Sequence, residues 1–312
     1  MGSEKGESSC ASPWLKISKE VDPAAASQTL RFVDRMGASI AVPPKWEARG
    51  TYGHLYRNFI KVLHIQPGRI SISVHAKPPI CNGYGTLHGG SVGTLAEILS
   101  IACARTVVAE DKELFLGEIS ISYMSATPVN GKSSEMGSEK AESSCASPWL
   151  KISKEVDPAV ASAALRFVDR LGASTAVPPK WDARGSYDPF FRNFIKILHI
   201  QPGRISISVH AKPPICNTFG TLHGGSVGTL TEILSTACAR TVVAEDKELF
   251  LGEISMSYMS ATPANEEVLA NASVVKSGRN LTVVAVQFKL KKSGNMAYST
   301  RATFYNMPLS SL

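Results

Sequence analysis

An α+β fold, an antiparallel sheet laid against one long helix, follows from three features of the 312-residue chain. The first is the segment from Gly89 to about Glu110. It is apolar on most sides (Val92, Leu95, Ile98, Leu99, Ile101, Ala102, Val107, Val108), which predicts a helix buried along its length. The second is Phe115–Tyr123, where Phe115, Ile119, Ile121 and Tyr123 alternate with Glu118, Ser120 and Ser122, the period of a half-buried strand. The third is a C-terminal tail that reads as three strands, Val268–Lys276, Asn280–Lys292 and Met296–Asn306. Ser277-Gly278-Arg279 and Ser293-Gly294-Asn295 separate them, and both suit hairpin turns. A sheet wrapped around a central helix accommodates all three.

In chain order, the elements expected before that helix are an Ala-rich helix near Pro23–Arg35, an amphipathic segment near Tyr52–Val62 and a strand pair across Pro67-Gly68. A strand at Leu114–Ser125 follows it. The same elements return 135 residues later, because Met1–Asn130 recurs as Met136–Asn265 with 111 of 130 positions identical. Gly131 to Glu135 join the copies, and Met136 restarts the second like a fresh N-terminus, as a recent duplication or a concatenation of two reading frames would leave it. After Asn265 the chain runs on for 47 residues that have no counterpart in the first copy.

Two domains are therefore expected: 1–135, an incomplete copy lacking the last three strands, and 136–312, a complete unit. Without those strands the first copy would leave a helix flank and a sheet edge uncovered, so it is not expected to be stable alone. It is either loosely attached to a unit that pairs with another chain, or paired intramolecularly with the second copy, or in competition for the single set of terminal strands.

Composition narrows the function classes. With 44% hydrophobic and 19% charged residues the chain has the apolar content for packed cores, which excludes wholesale disorder. No run approaches the roughly 18 apolar residues of a membrane span. The net charge of +7 favours an anionic partner. Lys and Arg are nevertheless dispersed, with no aromatic-interleaved basic stripe, so nucleic-acid binding is disfavoured. Six cysteines without a C-x-x-C pair, and no secretory signal, point to a reducing compartment, with the cytoplasm the expected location. The terminal Ser310-Ser311-Leu312 resembles a peroxisomal address without its basic residue, and peroxisomal and mitochondrial locations stay open.

The chemistry is sought on the long helix. Glu97, and Glu232 in the second copy, is the only charged residue between Gly89 and Arg105, and a buried carboxylate is costly enough to ask what it does. Gly90, Gly93 and Glu97 share one face, so something can approach closely there. At the helix start, Leu87-His88-Gly89-Gly90 offers amides with no partner in their own helix, at the end where the macrodipole favours negative charge. Those donors would stabilise an oxyanion. The plainer alternative is a tight loop-to-helix turn, with Glu97 paired to Arg105 or another cation. The histidines show no metal-ligand spacing and no Gly-x-Ser-x-Gly elbow occurs, so neither a metal site nor covalent Ser or Cys catalysis is expected.

The run Asn82-Gly83-Tyr84-Gly85-Thr86-Leu87-His88-Gly89-Gly90 followed by Glu97, and its repeat from Asn217 to Glu232, resembles the hotdog-fold acyl-CoA thioesterases. The likeness covers about 187–307 and includes Gly252–Ser260 and Lys276–Leu281. It implies one incomplete and one complete hotdog unit and hydrolysis of fatty acyl-CoA at an interface between two units. Coenzyme A would enter only as part of the substrate, with no other cofactor.

By position, Gly224 (Gly89 in the first copy) would donate its amide to the thioester carbonyl and Asn217 (Asn82) would orient water or carbonyl. Glu232 (Glu97), reaching in from a partner unit, would be base or nucleophile, and His223 (His88) would shape the turn. The partner unit is supplied by a homo-oligomer or by the other copy, which allows a hybrid site of Asn217, Gly224 and Glu97. Tyr258 and Ser260 would border the groove, and Lys276, Ser277, Gly278, Arg279 and Asn280 would cradle the coenzyme's phosphates. Where the family often has a strand Ser, this chain has Leu251-Gly252. An aromatic thioester such as hydroxybenzoyl-CoA or dihydroxynaphthoyl-CoA, or acyl-CoA binding without hydrolysis, are the alternative functions.

Overall fold

The computed structural model describes residues 16–17, 52–56, 59–82, 84–109, 112–129, 151–152, 188–191, 194–244 and 246–308. They form β1 (Lys16–Ile17), β2 (Ile60–Gln66), β3 (Arg69–Val74), α1 (Gly89–Arg105), β4 (Glu118–Ser122), β5 (Lys151–Ile152), β6 (Ile195–Gln201) and β7 (Arg204–His210). After these come α2 (Gly224–Arg240), β8 (Lys247–Tyr258), β9 (Glu267–Ser277), β10 (Leu281–Leu290) and β11 (Met296–Pro308). The expected Ala-rich helix at Pro23–Arg35, the junction Gly131–Glu135 and the terminal Ser-Ser-Leu lie outside the described residues.

The chain divides into two compact units that cut across the repeat boundary at residue 135. One holds Lys16–Ile17, 53–75 and 98–114; the other holds Tyr52, 76–97 and the described residues from Phe115 onward. In the smaller unit, β2 and β3 pair antiparallel across Gly68, whose φ of +67° is the left-handed turn conformation that glycine adopts without strain. The amphipathic segment expected over Tyr52–Val62 is not one element. It is a helical turn at Gly53–Tyr56 followed by β2, where Ile60, Val62 and Ile65 are buried.

The larger unit is built on an eight-stranded sheet of order β4-β8-β11-β10-β9-β7-β6-β5, antiparallel except for the two-residue β5 beside β6. α2 packs against β7 to β11, and 14 of its residues are buried, including Val227, Leu230, Ile233, Leu234 and Cys238. The three tail strands lie where the sequence reading placed them, separated by the two expected hairpin turns, and pack on this helix. β4 joins the sheet from the other end, antiparallel to β8, with Ser120 opposite Ser255. Those two serines hold the same place in the repeat. This pairing is what carries residues 115–122 across the expected domain boundary.

Two expectations are corrected. The first helix stops at Arg105 rather than near Glu110, and Val107 is 62% exposed. The β-branched run Thr106-Val107-Val108 is a poor helix continuation, and Thr106 Oγ1 donates to Cys103 O at 2.6 Å, closing the last turn. The second correction concerns Phe115 and its equivalent Phe250, which do not share the buried face of Ile119, Ile121 and Tyr123. Phe115 precedes β4 and is 85% exposed. Phe250 lies in β8, but a register shift sets Glu253 opposite Thr303 and Leu251 opposite Phe304, leaving Gly252 as the extra residue. That bulge changes the phase, so Leu249 and Leu251 point inward ahead of it and Ile254 and Met256 after it.

Candidate active site

In the larger unit the first turns of α1 and α2 cross in antiparallel register, Gly90 against Thr229 and Thr94 against Gly225. The glycine face expected to admit a close neighbour thus admits the other helix. Thr94 and Thr229 are buried and donate to the carbonyls four residues back, Gly90 O at 2.9 Å and Gly225 O at 3.0 Å. The Tyr52 hydroxyl lies 3.2 Å from Thr94 Oγ1 and 3.5 Å from Thr229 Oγ1, tying the crossing together.

The crossing carries each carboxylate to the other helix's start. Glu232 Oε2 accepts from Gly90 N at 2.8 Å and lies 3.2 Å from His88 Nδ1. Glu97 Oε2 lies 3.3 Å from His223 Nδ1, and a Cβ added at Gly224 would sit 2.5 Å from that oxygen. Both glycine pairs therefore make room for a carboxylate from the opposite copy. Arg105, the alternative partner for Glu97, donates to Lys112 O at 2.5 Å.

His88 and His223 are buried, and each acts as the cap of its helix: Nδ1 accepts from the second helical amide, Gly90 N or Gly225 N, at 3.0 Å. Nδ1 is thereby committed to the turn. The preceding loops are held by asparagine. Asn82 Oδ1 accepts from Tyr84 N at 3.0 Å and Thr86 N at 3.1 Å, and Asn217 Oδ1 does the same for Phe219 N and Thr221 N. The first amides, Gly89 and Gly224, have no carbonyl of their own helix to bond.

A cavity of about 310 Å³ opens at the start of α1. Asn82, Tyr84, His88, Gly89 and Glu232 form its polar end, and Leu249, Leu251, Ile233 and Phe304 its apolar wall. Thr236 and Arg240 follow Glu232 along the same stripe of α2, at i+4 and i+8. Burial pushes the thiols of Cys81 and Cys216 up to about 11 and that of Cys238 to about 12, so they stay protonated and are poor nucleophiles. Among the described residues no three His, Cys, Asp or Glu side chains converge as a metal site requires, and no helix is long and apolar enough to cross a membrane.

Residues 219–297, which include Glu232 and the three strands β8, β9 and β10, match the family model described as the thioesterase superfamily. The chain carries a thioesterase-superfamily domain. Among curated proteins it is 26% identical over 118 residues to human acyl-coenzyme A thioesterase 13, covering 36% of this chain and 84% of the relative. It is 33% identical over 92 residues to the Caenorhabditis elegans protein F42H10.6, an esterase by name, and spans about half, 54%, of that protein's length. The crystal structure of zebrafish thioesterase superfamily member 2 is similar at a TM-score of 0.39 and 21% identity, over 47% of this chain and 96% of that one.

The thioesterase domain has the α+β hotdog fold, with α2 as its central helix. Of the expected site residues, the crossing brings together His88, Gly89 and Glu232 on one side, with Asn82 on the same cavity wall, and His223, Gly224 and Glu97 on the other. Tyr258 borders the second helix start, its Oη donating to Gly224 O at 3.3 Å, whereas the exposed Ser260 donates to Met296 O at 3.3 Å. Lys276, Ser277, Gly278, Arg279 and Asn280 are exposed on the β9–β10 hairpin, and none lines the cavity.

Sequence reasoning missed Tyr123, Thr236 and Arg240 of the cavity and Tyr52 at the crossing. The repeat offset leads from Tyr258 to Tyr123, and helical spacing from Glu232 to the other two. For Tyr52, 42 residues from Thr94, no local signal exists.

Proposed function

We propose that the chain hydrolyses acyl-CoA thioesters in the cavity at the start of α1. The observation that supports this most directly is the Glu232 carboxylate, 2.8 Å from Gly90 N on the wall of that cavity. In the reaction, Glu232 takes a proton from a water molecule, which attacks the thioester carbonyl carbon. The oxygen of that carbonyl becomes an oxyanion facing the Gly89 amide and the positive end of α1. Collapse breaks the C–S bond, and the coenzyme thiolate leaves and recovers the proton. His88 holds the turn through Nδ1, and Asn82 holds the loop. The same roles for Asn217, His223, Gly224 and Glu97 would follow at the second helix start.

The apolar wall suits a fatty acyl chain. Phe250, Phe304 and Tyr84 in the same lining favour a second reading, an aromatic acyl group. Free-thiol release from hexanoyl-, palmitoyl- and 4-hydroxybenzoyl-CoA at equal concentration tests both. Turnover of at least one is expected, and the ratio assigns the acyl class. A chain that binds acyl-CoA yet releases no thiol from any of the three would be a binder and would end the hydrolase reading.

A further inference from the structure

We infer that Tyr123 is a positioning residue for Glu232, acting through the peptide group between Gly89 and Gly90. The inference rests on the reading of Glu232 as the catalytic carboxylate. Tyr123 Oη donates to Gly89 O at 3.0 Å, and the N–H of that same peptide, Gly90 N, donates to Glu232 Oε2 at 2.8 Å. The atoms form one line of polarisation, from hydroxyl through the amide to the carboxylate. A donor on the oxygen of a peptide group strengthens its N–H as a donor, and the gain is largest away from water.

Tyr123 is well placed for this role. It lies just beyond β4, its own N–H is fixed on Gly252 O at 2.8 Å, and its side chain faces the cavity that holds Glu232. Burial, with the charge of Glu232 as the lesser cause, pushes its hydroxyl far above the ordinary phenol range, so it remains a donor.

The opposite crossing supplies the comparison. Tyr258 Oη is 3.3 Å from Gly224 O, and Gly225 N–H donates to His223 Nδ1 just as Gly90 N–H does to His88 Nδ1, but Glu97 Oε2 is buried without a hydrogen-bond partner among the described residues. Both tyrosines reach a glycine carbonyl, yet only at Tyr123 does the line end on a carboxylate.

The test is a double-mutant cycle on the full chain with the best acyl-CoA substrate. Tyr123→Phe is expected to lower kcat about tenfold while KM moves less than about twofold, because the loss falls on the reacting carboxylate and not on substrate binding. In the Glu232→Gln background the same change is expected to have no further effect on kcat, since its target is gone. Thermal unfolding of each variant checks that the fold survives. Undiminished kcat in Tyr123→Phe, or an undiminished tenfold fall when Glu232 is already Gln, would overturn the inference while leaving the hydrolase reading intact. A wild-type chain inactive on every thioester would remove the reading itself.

Discussion

Glu232→Gln is expected to lower kcat for thioester hydrolysis by roughly 10²–10⁴-fold, the range over which a positioned general base contributes. The substitution is close to isosteric. The Gln carbonyl oxygen still accepts from Gly90 N–H, so the contact seen at 2.8 Å can persist and the helix crossing has no reason to move. What is lost is the negative charge that accepts a proton from water. KM should change little, and the melting temperature should stay within a few degrees of wild type. Glu232→Asp separates charge from reach: the carboxylate is kept but withdrawn by about one carbon–carbon bond from the amide, and a misplacement of about 1 Å is enough to cost about 10²-fold. If Glu232→Gln turned over acyl-CoA within twofold of wild type, the base would lie elsewhere and the proposed site would be wrong.

A large loss of stability is expected of Gly225→Ala. A Cβ there would sit 2.6 Å from Thr94 Cβ and 2.8 Å from Thr94 Cα, and nearer still to its Oγ1. Because one of those atoms is backbone, no rotamer change relieves the clash, and α1 and α2 must separate. Overpacking of this kind costs about 3 kcal/mol, at the upper end of the usual range. In a unit of this size that is a fall of about 6–12 °C in melting temperature. Gly93→Ala is the matched comparison on the facing helix. Its Cβ would meet Ile121 Cδ1 at 3.6 Å, an ordinary contact, so the intrinsic preference of helices for Ala should make it neutral or stabilising by up to about 1 kcal/mol. Thermal unfolding of the two variants side by side reads the difference; equal melting temperatures would mean that the crossing is looser than described.

The parts of this architecture that local chemistry decides were legible in the residues themselves. The tail strands were readable because two Ser-Gly turns punctuate them, and the observed strands begin and end within two residues of that reading. The facing carboxylates were readable because a lone Glu in an otherwise apolar helix must be met by something. What escaped is decided by distant parts of the chain. Phe250 turns outward because of a bulge at Gly252, a feature of how β8 pairs with β11 rather than of β8 alone. The end of α1 at Arg105 is set by a Thr side chain bonding back on its own helix, which hydrophobic periodicity does not register. The β9–β10 hairpin was read from its cations, yet the cavity takes its one Arg from α2. Tyr52 and Tyr123 act on helices far from them in the chain, and spacing says nothing of such partners.

The match of Ser120 with Ser255 has a further implication. A strand that lies beside its own repeat equivalent forms the kind of edge by which identical subunits join, and here one polypeptide supplies both edges. Tethered surfaces meet at an effective concentration of the order of millimolar, far above that of a protein in an assay. If the proposed hydrolysis holds, specific activity should therefore stay constant as the chain is diluted to nanomolar levels, where a site shared between separate molecules would come apart.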